Sequence, residues 1–101
     1  MKLDTDDLQF IRDSMLEPDL YELVAGEAVE LAKECLKYAR IKRAINPTPA
    51  KADETMKNIL EEFSDVMLCA QVADIFEVSS IIEYKKNRWI SRLKEAANAC
   101  N

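Results

Sequence analysis

The sequence predicts an all-α protein of four helices, and two observations lead to this prediction. The chain of 101 residues contains one Gly and three Pro and is 49% hydrophobic, a composition that favours helices over the tight turns of a sheet. Apolar residues also recur at intervals of three and four along most of the chain, which is the periodicity of amphipathic helices. A chain of this length is expected to form one domain, residues 1–101, with a modest core.

The charge and the missing residue types exclude several classes of protein. A net charge of −5 argues against a protein that coats nucleic acid or an anionic membrane. The sequence contains no His, which excludes Ser-His-Asp triads and nearly every catalytic zinc site. Cys35, Cys69 and Cys100 lack paired spacing, so we expect reduced thiols in a cytoplasmic protein. No apolar run has membrane-spanning length, and the acidic N-terminal residues do not resemble a signal peptide.

The first two helices are separated by a proline. The first is predicted over residues 5–15, with Thr5 or Asp4 as its N-cap. Pro18 is suited to a first helical turn, and it opens a second helix of roughly seven turns that ends near Arg43. The predicted inner face of this second helix consists of Leu20, Leu23, Val24, Ala28, Leu31, Cys35 and Tyr38. Basic residues follow at its C-terminal end, where they complement the helix dipole.

Three carboxylates lie on or beside that inner face. Glu27 falls within the apolar stripe, Glu34 lies further along the same side, and Glu30 lies on its shoulder. A carboxylate in such a position needs a compensating charge. One interpretation is a salt bridge from Glu27 to a basic residue of a neighbouring helix.

A proline-containing loop over residues 44–53 is predicted to connect the second and third helices. Each Pro of the Asn46-Pro-Thr48-Pro sequence disfavours helical geometry in the residue before it. The loop is either a plain linker or an ordered flap in which Asn46 and Thr48 offer hydrogen bonds to a ligand.

The third helix, predicted over residues 53–73, carries a second pair of carboxylates. Its predicted inner face consists of Ile59, Leu60, Phe63, Val66, Met67 and Ala70. Glu62 and Asp65 are three residues apart and therefore point to the same flank of that face. If this pair meets Glu27 and Glu30, like charges repel unless cations lie among them, which weakens the simple salt-bridge interpretation.

The fourth helix, predicted over residues 80–99, begins with a possible capping box formed by Ser80 and Glu83. Its predicted inner stripe consists of Ile82, Trp89, Leu93, Ala96 and Cys100. Lys85, Arg88 and Arg92 lie along one flank, also at helical spacing. This flank is either a solvated face or the counter-charge for a polyphosphate near the carboxylates.

Clustered carboxylates without imidazole or paired thiolates favour Mg²⁺, with Mn²⁺ as a possible substitute. Such ions commonly bind substrate phosphates, so the pattern points to phosphate chemistry. The sequence lacks a Gly-rich phosphate loop, which excludes a P-loop fold. A ferritin-like di-iron site is excluded because its Glu-x-x-His motif requires histidine.

The order of these motifs resembles the MazG-like all-α nucleoside triphosphate pyrophosphohydrolases, which are related to the dimeric dUTPases. The motif residues are Glu27-Ala-Val-Glu30, then Glu62-Phe-Ser-Asp65, then a basic helix that begins with Lys85. The Asn-Pro-Thr-Pro loop and the Arg-Trp pair most resemble a small single-domain branch found in phages and prophages. The resemblance covers residues 8–93. Gly26 departs from the family pattern, in which a second Glu is common.

The resemblance implies hydrolysis of a nucleoside triphosphate to the monophosphate and pyrophosphate, for nucleotide-pool control or housecleaning. It implies Glu27, Glu30, Glu62 and Asp65 as catalytic Mg²⁺ ligands, and a substrate-phosphate contact from Lys85. Arg88 and Arg92 are further candidates for that contact. It also implies a helical bundle completed by homodimerisation, with a tetramer as a further step. The alternative function is a non-catalytic helical module that binds a nucleotide or a protein.

Overall fold

The computed structural model of the chain describes residues 2–44 and 49–99, and within these ranges it contains helices and no strand. The four helices are α1 (Thr5–Asp13), α2 (Glu17–Arg43), α3 (Pro49–Val72) and α4 (Ser79–Ala99). The prediction of an all-α chain with four helices is therefore confirmed. None of the helices in the described ranges has an apolar stretch long enough to cross a membrane.

The short helix α1 is fixed at its N-terminus by Asp4. The Asp4 carboxylate accepts hydrogen bonds from the backbone N–H groups of Asp6 and Asp7 at 2.8 and 3.1 Å, which satisfies two of the otherwise unpaired donors of the first turn. The helix ends at Asp13, two residues earlier than predicted, and the Ser14 hydroxyl donates to the carbonyl of Phe10 at 2.8 Å.

Helices α2 and α3 form an antiparallel hairpin. Leu20, near the start of α2, packs in one cluster with Val72, at the end of α3. Glu27, further along α2, lies beside Glu62 and Asp65, earlier in α3. The predicted loop is shorter than expected, because α3 begins at Pro49 rather than near residue 53. Proline is well suited to a first helical turn, where its missing N–H leaves no hydrogen bond unmade.

The core of the chain lies where α1 meets the open end of this hairpin. Leu8, Leu20, Val72 and Ala73 are buried there, and Leu3, Met15 and Val24 pack against them. Nearer the beginning of α3, Ala52 and Thr55 are also buried.

The predicted inner face of α3 is only half correct. Ile59, Val66 and Ala70 are half-buried, whereas Leu60, Phe63 and Met67 are exposed. On α2, similarly, Leu23, Ala28 and Cys35 are exposed, while Leu20, Val24, Leu31 and Tyr38 face inwards. Each helix has a wider apolar face than the hairpin alone can cover, so one edge of that face remains in contact with solvent.

The C-terminus of α3 is closed by a Schellman motif and by an arginine from α1. The N–H of Ile75 donates to the carbonyl of Ala70 at 2.8 Å, and Asp74 takes the left-handed conformation with φ of 62°. Arg12 donates through Nε to the carbonyl of Val72 at 2.7 Å and through Nη2 to that of Gln71 at 3.2 Å. The guanidinium therefore satisfies carbonyls at the negative end of the helix dipole.

Helix α4 extends away from the other three helices. All of its residues are exposed, including Ile82, Trp89, Leu93 and Ala96, so the prediction that this stripe packs inside the chain is wrong. The radius of gyration is 18.1 Å, compared with about 13 Å for a compact chain of this length. Cys100, the last residue of the predicted stripe, lies outside the described residues.

The predicted capping box of α4 is absent from the described contacts. Helix α4 begins at Ser79, and the carbonyl of Val78 accepts the first helical hydrogen bonds, from Ile81 and Ile82. Glu83 accepts a hydrogen bond from Lys86 at 2.6 Å instead of turning back to the helix N-terminus. The helix therefore starts one residue earlier than the box requires.

Candidate metal centre

Three of the four carboxylates predicted for a metal site lie together on the hairpin. One oxygen each from Glu27, Glu62 and Asp65 can be chosen so that all three lie within 4.8 Å of one another. Glu27 and Glu62 are half-buried, and Asp65 is exposed. Glu62 and Asp65 share a flank of α3 because they are three residues apart. The antiparallel register of the hairpin places Glu27 of α2 opposite them.

The electrostatic environment of Glu62 is unfavourable to negative charge. Burial raises the pKa of Glu62 above its usual value, and the charges of Asp65, Glu27, Glu30 and Glu34, in decreasing order, raise it further. Four neighbouring acids therefore act on one carboxyl group, and each disfavours its ionised form. A cation bound among these groups would relieve this repulsion.

The fourth predicted ligand, Glu30, lies at the edge of the cluster. It is exposed, and its Oε1 pairs with Nζ of Lys33 at 3.2 Å. This pair is solvent-exposed, and such pairs contribute little to stability. Glu30 nonetheless contributes to the raised pKa of Glu62, so its charge acts on the same group of carboxylates.

Glu34 is an additional carboxylate that the predicted metal site did not include. Its Oε2 is buried and accepts no hydrogen bond from any residue in the described ranges. Burial of an oxygen without a partner is costly. Glu34 lies seven residues after Glu27, on the same face of α2, as its spacing in the sequence indicated.

The donor set of the cluster fits a hard divalent cation. It consists of carboxylate oxygens only, which suit Mg²⁺ or Mn²⁺ rather than zinc or copper. Two observations agree with a place for positive charge. The oxygens of Glu27, Glu62 and Asp65 lie close to one another, and Oε2 of Glu34 is buried without a hydrogen-bond partner in the described ranges. Glu27, Glu62 and Asp65 would hold such an ion, with Glu30 and Glu34 within electrostatic reach.

A thiol and a small apolar pocket adjoin the cluster. Burial raises the pKa of the Cys69 thiol, and the charges of Glu27 and Asp65 add to the effect. The raised pKa disfavours the thiolate of Cys69, which is the nucleophilic form of cysteine. The pocket is lined by Ile11, Met15, Leu20, Leu23, Leu68, Cys69 and Val72.

The predicted phosphate-binding residues share a surface but lie away from the carboxylates. Lys85, Arg88 and Arg92, together with Trp89, line a shallow pocket on α4. The Arg88 guanidinium lies 5.7 Å from the centre of the Tyr84 ring. Because α4 does not pack against the hairpin, a single chain does not bring these cations to the carboxylates. Asn46 and Thr48, the predicted substrate-loop residues, lie outside the described residues.

No protein-family model, curated protein or solved structure matches the chain.

Proposed function

We propose that the protein hydrolyses a nucleoside or deoxynucleoside triphosphate to the monophosphate and pyrophosphate, in a reaction that requires Mg²⁺. The observation that carries the proposal is the meeting of Glu27, Glu62 and Asp65 oxygens within 4.8 Å, on two different helices. The order of the sequence motifs, which resembles that of the MazG-like pyrophosphohydrolases, connects this geometry to triphosphates. The proposed setting is the cytoplasm, and the proposed role is nucleotide-pool control or housecleaning.

The carboxylates and the basic residues have separate tasks in the proposed reaction. When bound, Mg²⁺ would supply charge compensation for the phosphate under attack. One carboxylate of the cluster accepts a proton from a water molecule, whose oxygen forms a bond to the α-phosphorus. The bond from the α-phosphorus to the oxygen that bridges it to the β-phosphorus breaks, and pyrophosphate leaves. Lys85, with Arg88 and Arg92, compensates the charge of the departing phosphates.

The proposed assembly is a homodimer, with a tetramer of two dimers as the larger alternative. The exposed surface of the chain is 8320 Å², whereas a compact monomer of 11.5 kDa exposes about 5,800 Å². The excess, roughly 2,500 Å² per chain, amounts to about 5,000 Å² for two chains, at the upper end of what obligate dimers bury. Association of helices from two chains would complete a bundle.

Hydrolysis in ¹⁸O-labelled water tests the position of attack. We expect the label in the nucleoside monophosphate and none in pyrophosphate, as measured by mass spectrometry of the products. Attack at the γ-phosphorus would instead give the diphosphate and labelled inorganic phosphate, and this result would contradict the proposal. A panel of ribo- and deoxyribonucleoside triphosphates, canonical and modified, would then identify the preferred base and sugar.

The second candidate function is a non-catalytic helical module that binds a nucleotide or a protein. The exposed apolar side chains of α4, such as Trp89 and Leu93, favour it because they offer a surface for a partner. The two functions are distinguished by pyrophosphate release. A module without catalysis would show no Mg²⁺-dependent pyrophosphate across the whole substrate panel.

A further inference from the structure

Helix α4 has a charge opposite to that of the rest of the chain. Its 21 residues contain five Lys or Arg and two Glu, a net charge of +3. Because the whole chain carries −5, the other eighty residues carry −8. The described helices therefore separate into an acidic hairpin with α1 and a basic, isolated α4. Opposite charges of this size favour association between the two parts.

The apolar and basic residues of α4 lie side by side on one half of the helix. At about 100° per residue, the stripe Ile82, Trp89 and Leu93 spans about 40°. Lys85, Arg88 and Arg92 span about 60° on the adjoining flank. A surface that covers the apolar stripe would therefore contact the basic flank as well. All of these residues are exposed in the single chain.

Helix α4 needs a partner surface in order to be stable. Most helical stability in proteins comes from packing of an apolar face against a partner, and in the single chain every residue of α4 is exposed. The hairpin exposes suitable apolar side chains of its own, among them Leu23 and Leu68. Both of these line the apolar pocket beside the carboxylates.

The connection between α3 and α4 defines the level at which the two helices would meet. Helix α3 ends at Val72 and α4 begins at Ser79. If α4 lies antiparallel to an α3, equal numbers of residues from these ends are level, because both helices rise about 1.5 Å per residue. Arg88 is then level with Phe63, between Glu62 and Asp65. Exchange of α4 between two copies of the chain keeps this register. In such an exchange, α4 makes with the α3 of the other copy the same contacts that it would make with its own α3.

We propose that α4 of one copy lies against the α2–α3 hairpin of a second copy, and that the site is shared between the two. One protomer supplies Glu27, Glu62 and Asp65, and the other supplies Lys85, Arg88 and Arg92. The occupant of the hairpin surface is thus a second copy of this chain, identified by its opposite charge and its matching register. The catalytic consequence rests on the proposed function, whereas the exchange of α4 does not.

Mixing two inactive variants tests the shared site. Glu62→Gln removes a carboxylate, Lys85→Ala removes a phosphate contact, and each alone is expected to be inactive. In a co-expressed equal mixture, a quarter of the sites combine an intact hairpin with an intact α4 from the other chain. We therefore expect about a quarter of wild-type activity. If α4 served its own chain, every site would contain a substitution, and the absence of recovery would overturn the proposal. Lys94→Ala, a basic residue off the flank, should be active alone.

Crosslinking of isotope-labelled chains tests the exchange without reference to activity. Unlabelled and ¹⁵N-labelled protein are mixed under conditions in which the subunits exchange, and treated with a carbodiimide, which joins an amine directly to a carboxylate. We expect peptides that join Lys85 of one isotope to α2 or α3 of the other, and Lys85→Arg should remove them. Same-isotope peptides alone, or no crosslinked peptide, would overturn the exchange. An inactive wild type that gives mixed-isotope peptides would refute only the proposed function.

Discussion

The α2–α3 hairpin and α4 have similar amphipathic patterns, but only the hairpin packs within the single chain. Both consist of long amphipathic helices with a charged flank beside an apolar stripe. In the hairpin, Leu20 and Val72 are buried, whereas Trp89 and Leu93 of α4 are exposed. The difference shows that amphipathic periodicity identifies a face that must be covered, but does not identify the chain that covers it.

The charges of the two regions differ as well. The hairpin gathers carboxylates that repel one another, and within residues 2–44 and 49–99 α4 forms no ion pair with another helix. Each region therefore offers a place for charge of the opposite sign. A divalent cation bound on the hairpin would compensate its carboxylates, and a polyphosphate between the two regions would compensate the cations of α4.

The largest expected effect concerns the hairpin, through Glu62. Glu62→Gln keeps the size of the side chain but removes its charge and its ability to hold a cation. We expect turnover to fall by at least about a hundredfold, in the range seen when one preorganised electrostatic group is removed. The measurement is Mg²⁺-dependent pyrophosphate release.

Glu61→Gln is the matched control for that substitution. Glu61 is the adjacent residue on α3 and is exposed, and it points away from Glu62 by about 100°. Its loss should leave turnover close to that of the wild type. A normally active Glu62→Gln enzyme would show that the carboxylate cluster is not the site.

The next effect concerns α4. Leu93→Glu places a charge within the exposed apolar stripe, where a partner would have to bury it. We expect dissociation to monomers at micromolar concentration, with a loss of helicity because α4 would lose the packing that stabilises it. Sedimentation and circular dichroism measure the two results.

Ser91→Glu is the control for this change, because Ser91 lies on the opposite face of α4 from Leu93. It should leave the assembly intact. If wild-type protein sediments as a folded monomer of 11.5 kDa, the exposed stripe of α4 is stable in water and the proposed dimer is wrong.

The sequence predicts the helices well because each is a local pattern. The bounds of α2 and α4 differ from the predicted ones by one residue at their starts. The N-cap Asp4 is one of the two predicted candidates, and its hydrogen bonds depend only on neighbouring residues. The predicted start of α3, near residue 53, is wrong because the prediction assigns Pro49 to the loop, whereas proline also suits a first helical turn.

The sequence predicts packing less well because packing depends on distant partners. On α3, Ile59 and Val66 form one stripe and Phe63 and Met67 an adjacent one, and periodicity does not show which stripe meets α2. Arg12 was not singled out, since its partners are backbone carbonyls about sixty residues away. The proximity of Glu27 to Glu62 and Asp65 follows from the hairpin register, which the sequence motifs indicated only through a family resemblance.

A smaller effect is expected from substitution of Asp65. This effect shows whether Asp65 is a metal ligand or a structural residue. Asp65→Asn lowers the negative charge of the cluster, so the metal-free protein should be as stable as wild type or slightly more stable. Mg²⁺ should stabilise the wild type by about 2.7 kcal/mol at a concentration one hundred times its Kd, and most of this gain should be absent from the variant. Thermal unfolding with and without Mg²⁺ measures both quantities. A variant that melts well below metal-free wild type, with an unchanged Mg²⁺ response, would make Asp65 a structural residue.

The smallest expected effect concerns Asp74, at the junction of the two regions. Asp74 is the residue of the Schellman motif that takes the left-handed conformation, with φ of 62°, and a side chain is disfavoured there. Asp74→Gly removes that strain but adds conformational freedom to the unfolded chain. The net result should be an increase of about 0.5–1 kcal/mol in the free energy of unfolding. Asp74→Ala, which keeps a Cβ and introduces a residue that tolerates the left-handed conformation less well than Asp, should destabilise.

The Asp74 pair also reports on how the junction positions α4. The hydrogen bonds from Ile75 to Ala70 and from Asp74 to Gln71 define the direction in which the chain leaves α3. Because glycine keeps this geometry, Asp74→Gly should melt at a higher temperature with no change in assembly or turnover. If it stabilises the fold but weakens assembly, then the carboxylate of Asp74 itself takes part in directing α4 towards its partner. Denaturation at several protein concentrations separates these results, since a change in assembly alters the concentration dependence of the melting temperature and a change in the cap does not.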